Sequence, residues 1–406
     1  MQFVQVNAEA YYENLQGQYF QRGWVEPLII YYSRTQSDTQ RLLNKDGVEA
    51  EVNYGRYINS VPAVYTHQFM NNGGHSGWGT LFHEITHHFI HLNYHDPPAW
   101  FNEGLACFLG EQTRIVKGKI TVGRPNPWRE RKLRGKIEEG LRPNIKRMLS
   151  TSMEQFYNWD IGYHFARAFF YWLYENGYLE EYLENVQEKG YELSVLEEVV
   201  SRPYGRINAE LSKFIKKDCY AGAYLGDGQR AKDDKAEKEA AFLKALELKP
   251  GYRRAQLELA KCYYRSKDYE KSREYLEQIL DEPESIEYRA AAKLMGDIHY
   301  YNKKDYSEAL EYYNRTWEYS DYYEYKYRTA YQIANCYYHL KDPNDVEQRL
   351  NSAKQWYKEF LDCKWEPESM KPQADYARKY LEYTDTTRIK QDEQKEDTND
   401  NNGEKP

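Results

Sequence analysis

The chemistry-bearing residues of this 406-residue chain concentrate in one stretch, Thr80-Leu-Phe-His-Glu-Ile-Thr-His-His-Phe-Ile-His-Leu92. On a helix, positions four apart share a face, so the imidazoles of His83 and His87 converge on one point. Two neutral imidazoles at that spacing suit Zn²⁺, and Glu84 between them stands where a base reaches a water activated at the metal. A third donor follows in Ala99-Trp-Phe-Asn-Glu-Gly-Leu-Ala-Cys-Phe-Leu-Gly110, which reads as a second helix with a buried apolar face. Glu103 lies among apolar neighbours there, and an unpaired buried carboxylate is costly. A metal ion removes that cost. His83, His87 and Glu103 then supply three protein ligands and leave a fourth position open, as catalytic rather than structural zinc sites do. The competing reading has Glu103 capping a helix or pairing with a nearby arginine.

The elements that must position these groups are legible in outline. Thr80 is expected as the N-cap of the first helix after Gly77-Trp-Gly79, and Pro97-Pro98 block its continuation. Upstream, residues 2–24 read as an amphipathic helix and Val25–Tyr32 as a strand. Ser37–Leu43 reads as a short helix capped by Ser37 or Asp38, and Asn44–Gly47 as a turn. Tyr54–Asn59 and Pro62–Gln68 read as two short strands, and Asn71–Gly77 as a loop. Ala63–Gln68 is the candidate strand for pairing with extended substrate, or else an ordinary core or edge strand. Downstream, Arg114, Lys117, Lys119, Arg124, Arg129, Arg131, Lys132 and Arg134 form a basic stretch, read as solvated surface or as a contact for an acidic substrate. A helix is expected from Trp128 to about Glu139. Another, strongly apolar, runs from Asp160 to Tyr174 with Asp160 as its cap. Residues 178–219 read as closing helices, and Gly222–Gly228 as a linker.

His83–His87 followed by Trp100-Phe-Asn-Glu-Gly-Leu-Ala106 resembles the gluzincin clan of zinc peptidases, and the Asn-Glu-Gly-x-Ala block is similar to that of its aminopeptidase-N branch. The fuller pattern of Thr80–His87, Pro98–Ala106, Val122–Trp128 and Tyr163 resembles a group of bacterial peptidase-MA-like domains, over roughly residues 25–215. The resemblance implies an α+β, thermolysin-like (zincin) catalytic domain. It also implies one Zn²⁺ per chain on His83, His87 and Glu103, Glu84 as general base, and a peptide or protein substrate. Tyr163 matches the tyrosine that donates to the oxyanion in the resembled group; His164 beside it is the weaker candidate. The chain departs from the clan in several places. Fifteen residues separate His87 from Glu103, a short link. Cys107 stands where an acidic residue follows the third ligand by four positions. The Gly-x-Met-Glu-Asn motif is absent, so aminopeptidase activity is not implied. A metzincin reading fails, because Ile90 and Asn93 stand where Gly and a third His are required. His91 continues the row of His83 and His87, but roughly 12 Å of rise over eight residues keeps one ion from taking all three. It is expected beside the site or partly exposed. His67 and His75 carry no argument.

The second half repeats. Leu257–Tyr269, Leu294–Tyr306 and Gln332–Pro343 align, with small residues at Ala260, Gly296 and Ala334. These segments resemble tetratricopeptide repeats, helix pairs in which small residues allow close approach. Glu237–Pro250 reads as the end of a degenerate first repeat and Lys371–Tyr383 as a capping helix. Tyrosine is in excess, 42 in all, and pairs such as Tyr263/Tyr264, Tyr300/Tyr301, Tyr312/Tyr313, Tyr322/Tyr323 and Tyr337/Tyr338 lie here. One of each pair is expected in the core and the other outward, where an aromatic groove suits a protein partner. The expected organisation is a gluzincin-like domain over 1–221, a linker over 222–236, an all-α tetratricopeptide-like solenoid over 237–385 and a polar tail over 386–406.

Composition excludes other classes. A net charge of −8 without a basic run argues against nucleic acid. Mean hydropathy is −0.97 and apolar runs are short, so no membrane span is expected. Residues 1–20 lack the pattern of a signal peptide, and the compartment is left open. Cys107, Cys219, Cys262, Cys336 and Cys363 are scattered and read as buried thiols rather than a disulfide framework. Two function classes stand: a zinc peptidase with appended repeats, and an interaction scaffold carrying a catalytically silent peptidase-like domain.

Overall fold

The computed structural model describes residues 2–21, 28–49, 51, 53–67, 77–116, 118–232, 234–283, 285–319, 323–340, 346–362 and 368–384. It is helix-rich and divides into two compact units, Met1–Ala255 and Gln256–Pro406.

The first unit opens with α1 (Gln2–Gln18), β1 (Ile29–Ser33), α2 (Gln36–Lys45), β2 (Gly55–Ile58) and β3 (Ala63–His67). Thr35, not Ser37 or Asp38, caps α2 by accepting the Asp38 N–H. The sheet order is β1-β3-β2, with β1 parallel and β2 antiparallel to β3. This corrects the expected substrate strand. Ala63–His67 is hydrogen-bonded on both sides, so it has no edge to offer, and Gln68 lies outside the described residues. The edge strand β2 pairs with β3 through Tyr57 opposite Val64.

Two helices follow, α3 (Gly77–Asn93) and α4 (Ala99–Gly110), the latter entered through an extended Pro98. Thr80 does not cap α3; it sits inside the helix, buried. Tyr11 of α1 stacks on Phe82 at 4.2 Å and bonds Thr86 Oγ1 at 2.8 Å, fixing the back of α3. Glycines set how closely α4 is held. A Cβ on Gly110 would stand 2.4 Å from the His83 backbone nitrogen, and one on Gly104 would stand 2.8 Å from Ala166 Cβ. Only hydrogen at these positions lets both neighbours reach α4.

The unit continues through a hairpin of β4 (Arg114–Val116) and β5 (Lys119–Thr121), then α5 (Pro127–Glu138), α6 (Ile145–Leu149), α7 (Met153–Tyr157) and α8 (Gly162–Glu175). The expected cap of α8 is corrected: Ile161 holds that position, while exposed Asp160 faces Lys136 at 3.4 Å. The closing helices are α9 (Leu179–Lys189), α10 (Leu193–Val200), α11 (Tyr204–Phe214), a π-helical turn Ile215–Cys219, α12 (Tyr220–Arg230) and α13 (Lys235–Leu248). The linker expected over 222–236 is therefore helical for most of its length. Its glycines serve packing: a Cβ on Gly222 would collide with Glu130 Oε2 at 1.6 Å. The core runs through Trp100, Phe101, Phe169, Phe170 and Trp172.

The following helices are α14 (Arg253–Arg265), α15 (Tyr269–Leu280), α16 (Ile286–Asp297), α17 (Tyr306–Glu318), α18 (Tyr323–His339), α19 (Val346–Asp362) and α20 (371–384). A π-helical turn, Ile298–Lys303, separates α16 from α17. Ala260 precedes Gly296 by 36 residues, yet Tyr269 precedes Tyr306 by 37. A π-turn holds one extra residue, which keeps the second helix pair in register. Tyr313 lies against Gly296 and donates to Asp297 Oδ1 at 2.8 Å; Tyr357 donates to Asn335 Oδ1 at 2.7 Å. Tyr301 and Tyr338 stand 50% and 38% exposed, while Tyr263 and Tyr313 are buried. Tyr322, Cys363 and 386–406 lie outside the described residues, and the side chain of Tyr323 is likewise not described. Among the described residues no helix is long and apolar enough to cross a membrane.

Candidate metal centre

His83 and His87 project from one face of α3 and Glu103 from the facing turn of α4. The Nε2 atoms of the two histidines are 3.0 Å apart, and Glu103 Oε2 lies 3.4 Å and 3.7 Å from them. A tetrahedral zinc site with bonds near 2.0–2.1 Å has ligand-to-ligand edges of roughly 3.3 Å. The three donors therefore already outline one face of such a tetrahedron, and their chemistry, two imidazoles and a carboxylate, fits Zn²⁺. All three are largely buried. Burial pushes the Glu103 carboxyl up, but His87 and His83 beside it outweigh burial and bring it down to about 2. Burial opposes charge on His83, while Cys107, Glu103 and Glu84 raise it above the ordinary histidine range.

Two of the three donors are held from behind by a hydrogen bond. His87 Nδ1 is 2.8 Å from Asn102 Oδ1, which places the proton on Nδ1 and leaves Nε2 as the free lone pair. Tyr157, at the end of α7 and 47% exposed, donates to Glu103 Oε1 at 3.1 Å. Burial and then the Glu103 charge raise the Tyr157 pKa, so it stays a donor. Glu84 accepts the Tyr57 backbone N–H at 2.7 Å through Oε2. A Cβ on Gly55 would stand 3.0 Å from Glu84 Cγ, 3.2 Å from its Oε1 and 2.5 Å from Thr80 Cγ2. Glycine at that point of β2 keeps space beside Glu84 Oε1.

Tyr163 stands at the first turn of α8. Its ring packs 6.0 Å from that of Tyr157, and the Arg129 guanidinium lies over it at 5.5 Å. Among the described hydrogen bonds none joins Tyr163 to the three donors. His164 packs edge-on against Trp128. Exposed His91 stacks on Tyr57 at 5.8 Å, and neither metal-competent group among the described residues includes it. His88 is buried, 3.0 Å from the Tyr57 hydroxyl; burial and then His91 push it down to about 4. His67 ends β3, and His75 lies outside the described residues.

The basic stretch is not simply solvated. Arg129 is buried and grips Glu111 through Nε at 2.6 Å and through Nη2, while Asn126 Nδ2 donates to Glu111 Oε2 at 2.7 Å. Burial pushes the Glu111 carboxyl up, but Arg129 overrides it and brings it down to about 2. Arg131 and Arg134 both pair with Asp227. A further group, His83, Cys107 and Glu111, has donor atoms within 4.8 Å of one another. Sequence reasoning assigned no role to Asn102, Tyr157 or Glu111. Asn102 adjoins Glu103 and was within reach of a helix-face argument; Tyr157 and Arg129 come from other elements at no fixed spacing.

Residues 226–294 match the tetratricopeptide repeat family. No curated protein matches the chain.

Proposed function

We propose that the first unit is a zincin-type, thermolysin-like α+β hydrolase that cleaves peptide bonds with one Zn²⁺ per chain. The observation that carries this reading is the near-tetrahedral triangle of His83 Nε2, His87 Nε2 and Glu103 Oε2, with Glu84 one residue along the same helix. The small sheet ahead of α3, with β2 running along that helix, supports the same reading. Zinc held by this set supplies polarisation of a carbonyl and a lowered pKa for water. Glu84 takes the proton from the attacking water and passes it to the leaving amine. The Tyr57 N–H holds one Glu84 oxygen and leaves the other to do this work. Tyr163 is assigned the oxyanion donor on its resemblance alone, and Tyr157 steadies Glu103.

The repeats are read as a binding module for a protein partner or for the substrate, a reading supported by the tetratricopeptide match. That match also supports a second reading, in which the repeats carry the function and the first unit is catalytically silent.

Elemental analysis after gentle purification, followed by digestion of a peptide library, separates the two. The hydrolase reading expects about one zinc per chain and cleavage that falls about 10³-fold in Glu84→Gln, which retains its zinc. A zinc-loaded chain that cleaves nothing supports the scaffold. A chain without zinc ends the hydrolase reading.

A further inference from the structure

A metal-binding imidazole works best when its second nitrogen donates to a fixed acceptor, which sets the tautomer and the ring plane. His87 has such an acceptor in Asn102. His83 needs one too. Its Nε2 is turned to His87 and Glu103, and its Nδ1 is buried with no hydrogen-bond partner at ordinary distance. What lies beside it is the Cys107–Glu111 pair. Glu103, Cys107 and Glu111 stand four residues apart on one face of α4 and its end. Gly110 brings that face against the His83 backbone. A ring nitrogen of His83, Cys107 Sγ and a Glu111 oxygen all lie within 4.8 Å of one another. Both α4 side chains are buried, and Glu111 is locked by Arg129 and Asn126.

We infer that Glu111 is the positioning residue for His83 and acts through Cys107, with His83 Nδ1–H directed at Sγ and the thiol S–H directed at the Glu111 carboxylate. This rests on the metal reading above. A thiol both donates and accepts, so it can relay the orientation without carrying charge. The cluster is not a second metal position. Arg129 holds both Glu111 oxygens, and a cation placed there would face its guanidinium. Glu111 is then the remote anchor of the first histidine, as Asn102 is the near anchor of the second.

The test measures zinc affinity of the full chain by chelator competition, and the electronic spectrum of the Co²⁺-loaded chain. Cys107→Ala removes the relay while leaving the Arg129–Glu111 pair intact. It should weaken zinc binding by about 10- to 100-fold with an unchanged circular-dichroism spectrum. Cys107→Ser, whose hydroxyl also donates and accepts, should restore affinity to within about threefold of wild type. Glu111→Gln should weaken binding like Cys107→Ala; if it fails to fold, the two Cys107 variants decide. Wild-type affinity in Cys107→Ala overturns the inference. So does a sulfur-to-cobalt charge-transfer band that Cys107→Ala abolishes, because Cys107 would then be a ligand. A wild-type chain that binds zinc no better than His83→Ala overturns the metal reading itself, a distinct failure.

Discussion

The two units both bury polar side chains, and they resolve the burial differently. At the repeat core the answer is local. Tyr313 bonds Asp297 and Tyr357 bonds Asn335, each within its own helix pair, and Ser272 bonds the Ala260 carbonyl. In the first unit the partners come from separate elements. His83 and His87 lie on α3, Glu103 and Glu111 on α4 and its end, Tyr157 on α7, Arg129 on α5 and Tyr57 on β2. There the side chains brace one another while three donor atoms are left facing one point. Locally answered polar groups make a helix pair specific. Polar groups held from behind with their lone pairs turned inward make a site for a ligand.

The same substitution in both units should break the symmetry of that comparison. Gly110→Ala drives a Cβ into the His83 backbone at 2.4 Å, so α3 and α4 must part. The expected cost is about 3 kcal/mol in urea unfolding, with loss of zinc binding. Gly296→Ala meets only the Tyr313 ring, at 2.8 Å, and a side chain can shift. The gain of roughly 1 kcal/mol in helix propensity offsets much of that strain, and zinc binding should not change. Equal costs would show that the helix approach at the candidate metal centre is no tighter than a repeat contact.

Next in size is a buried acid of the first unit. Burial pushes the Glu130 carboxyl up to about 7, against the opposing charge of Arg167 at 3.5 Å. A carboxyl raised on folding stabilises the fold fully below its unfolded pKa, about 4.3, and that contribution is lost as pH rises towards 7. Glu130→Gln should therefore gain stability relative to wild type between pH 4.5 and pH 8, by on the order of 2 kcal/mol. Parallel pH profiles for the two chains would contradict this. The smallest effect belongs to the repeats. Tyr313→Phe removes the donor to Asp297, whose other oxygen keeps Lys293 at 2.6 Å. A loss of about 1 kcal/mol with unchanged zinc content is expected, and a change in zinc content would contradict the local account.

How legible each part was depends on whether its geometry is local. The α3 and α4 faces could be read because i and i+4 fall together on any helix, and Ala99–Gly110 has the bounds its apolar pattern implies. The repeat pattern was readable for the same reason. The misreadings have physical causes. Gly222–Gly228 has a linker's composition, yet its glycines are where α12 is approached by Glu130 and Arg131. Asp160 has the right chemistry for a cap, but the helix starts one residue too late for it. Ala63–His67 looked like an available strand, but only strand order reveals whether an edge is free.

From the residues alone one obtains which donors share a helix face, that a buried Glu103 needs a partner such as a metal ion, and that the second half repeats. Those are consequences of helical periodicity and of the cost of burying charge, and they need no partner element. Tertiary packing decided the rest. It set the distance from α3 to α4 through Gly110, gave Asn102 to His87, and placed Tyr157 on Glu103. It also brought Arg129 to Glu111 behind His83. These contacts join residues whose separation along the chain carries no period, so only the packed core can bring them within bonding distance.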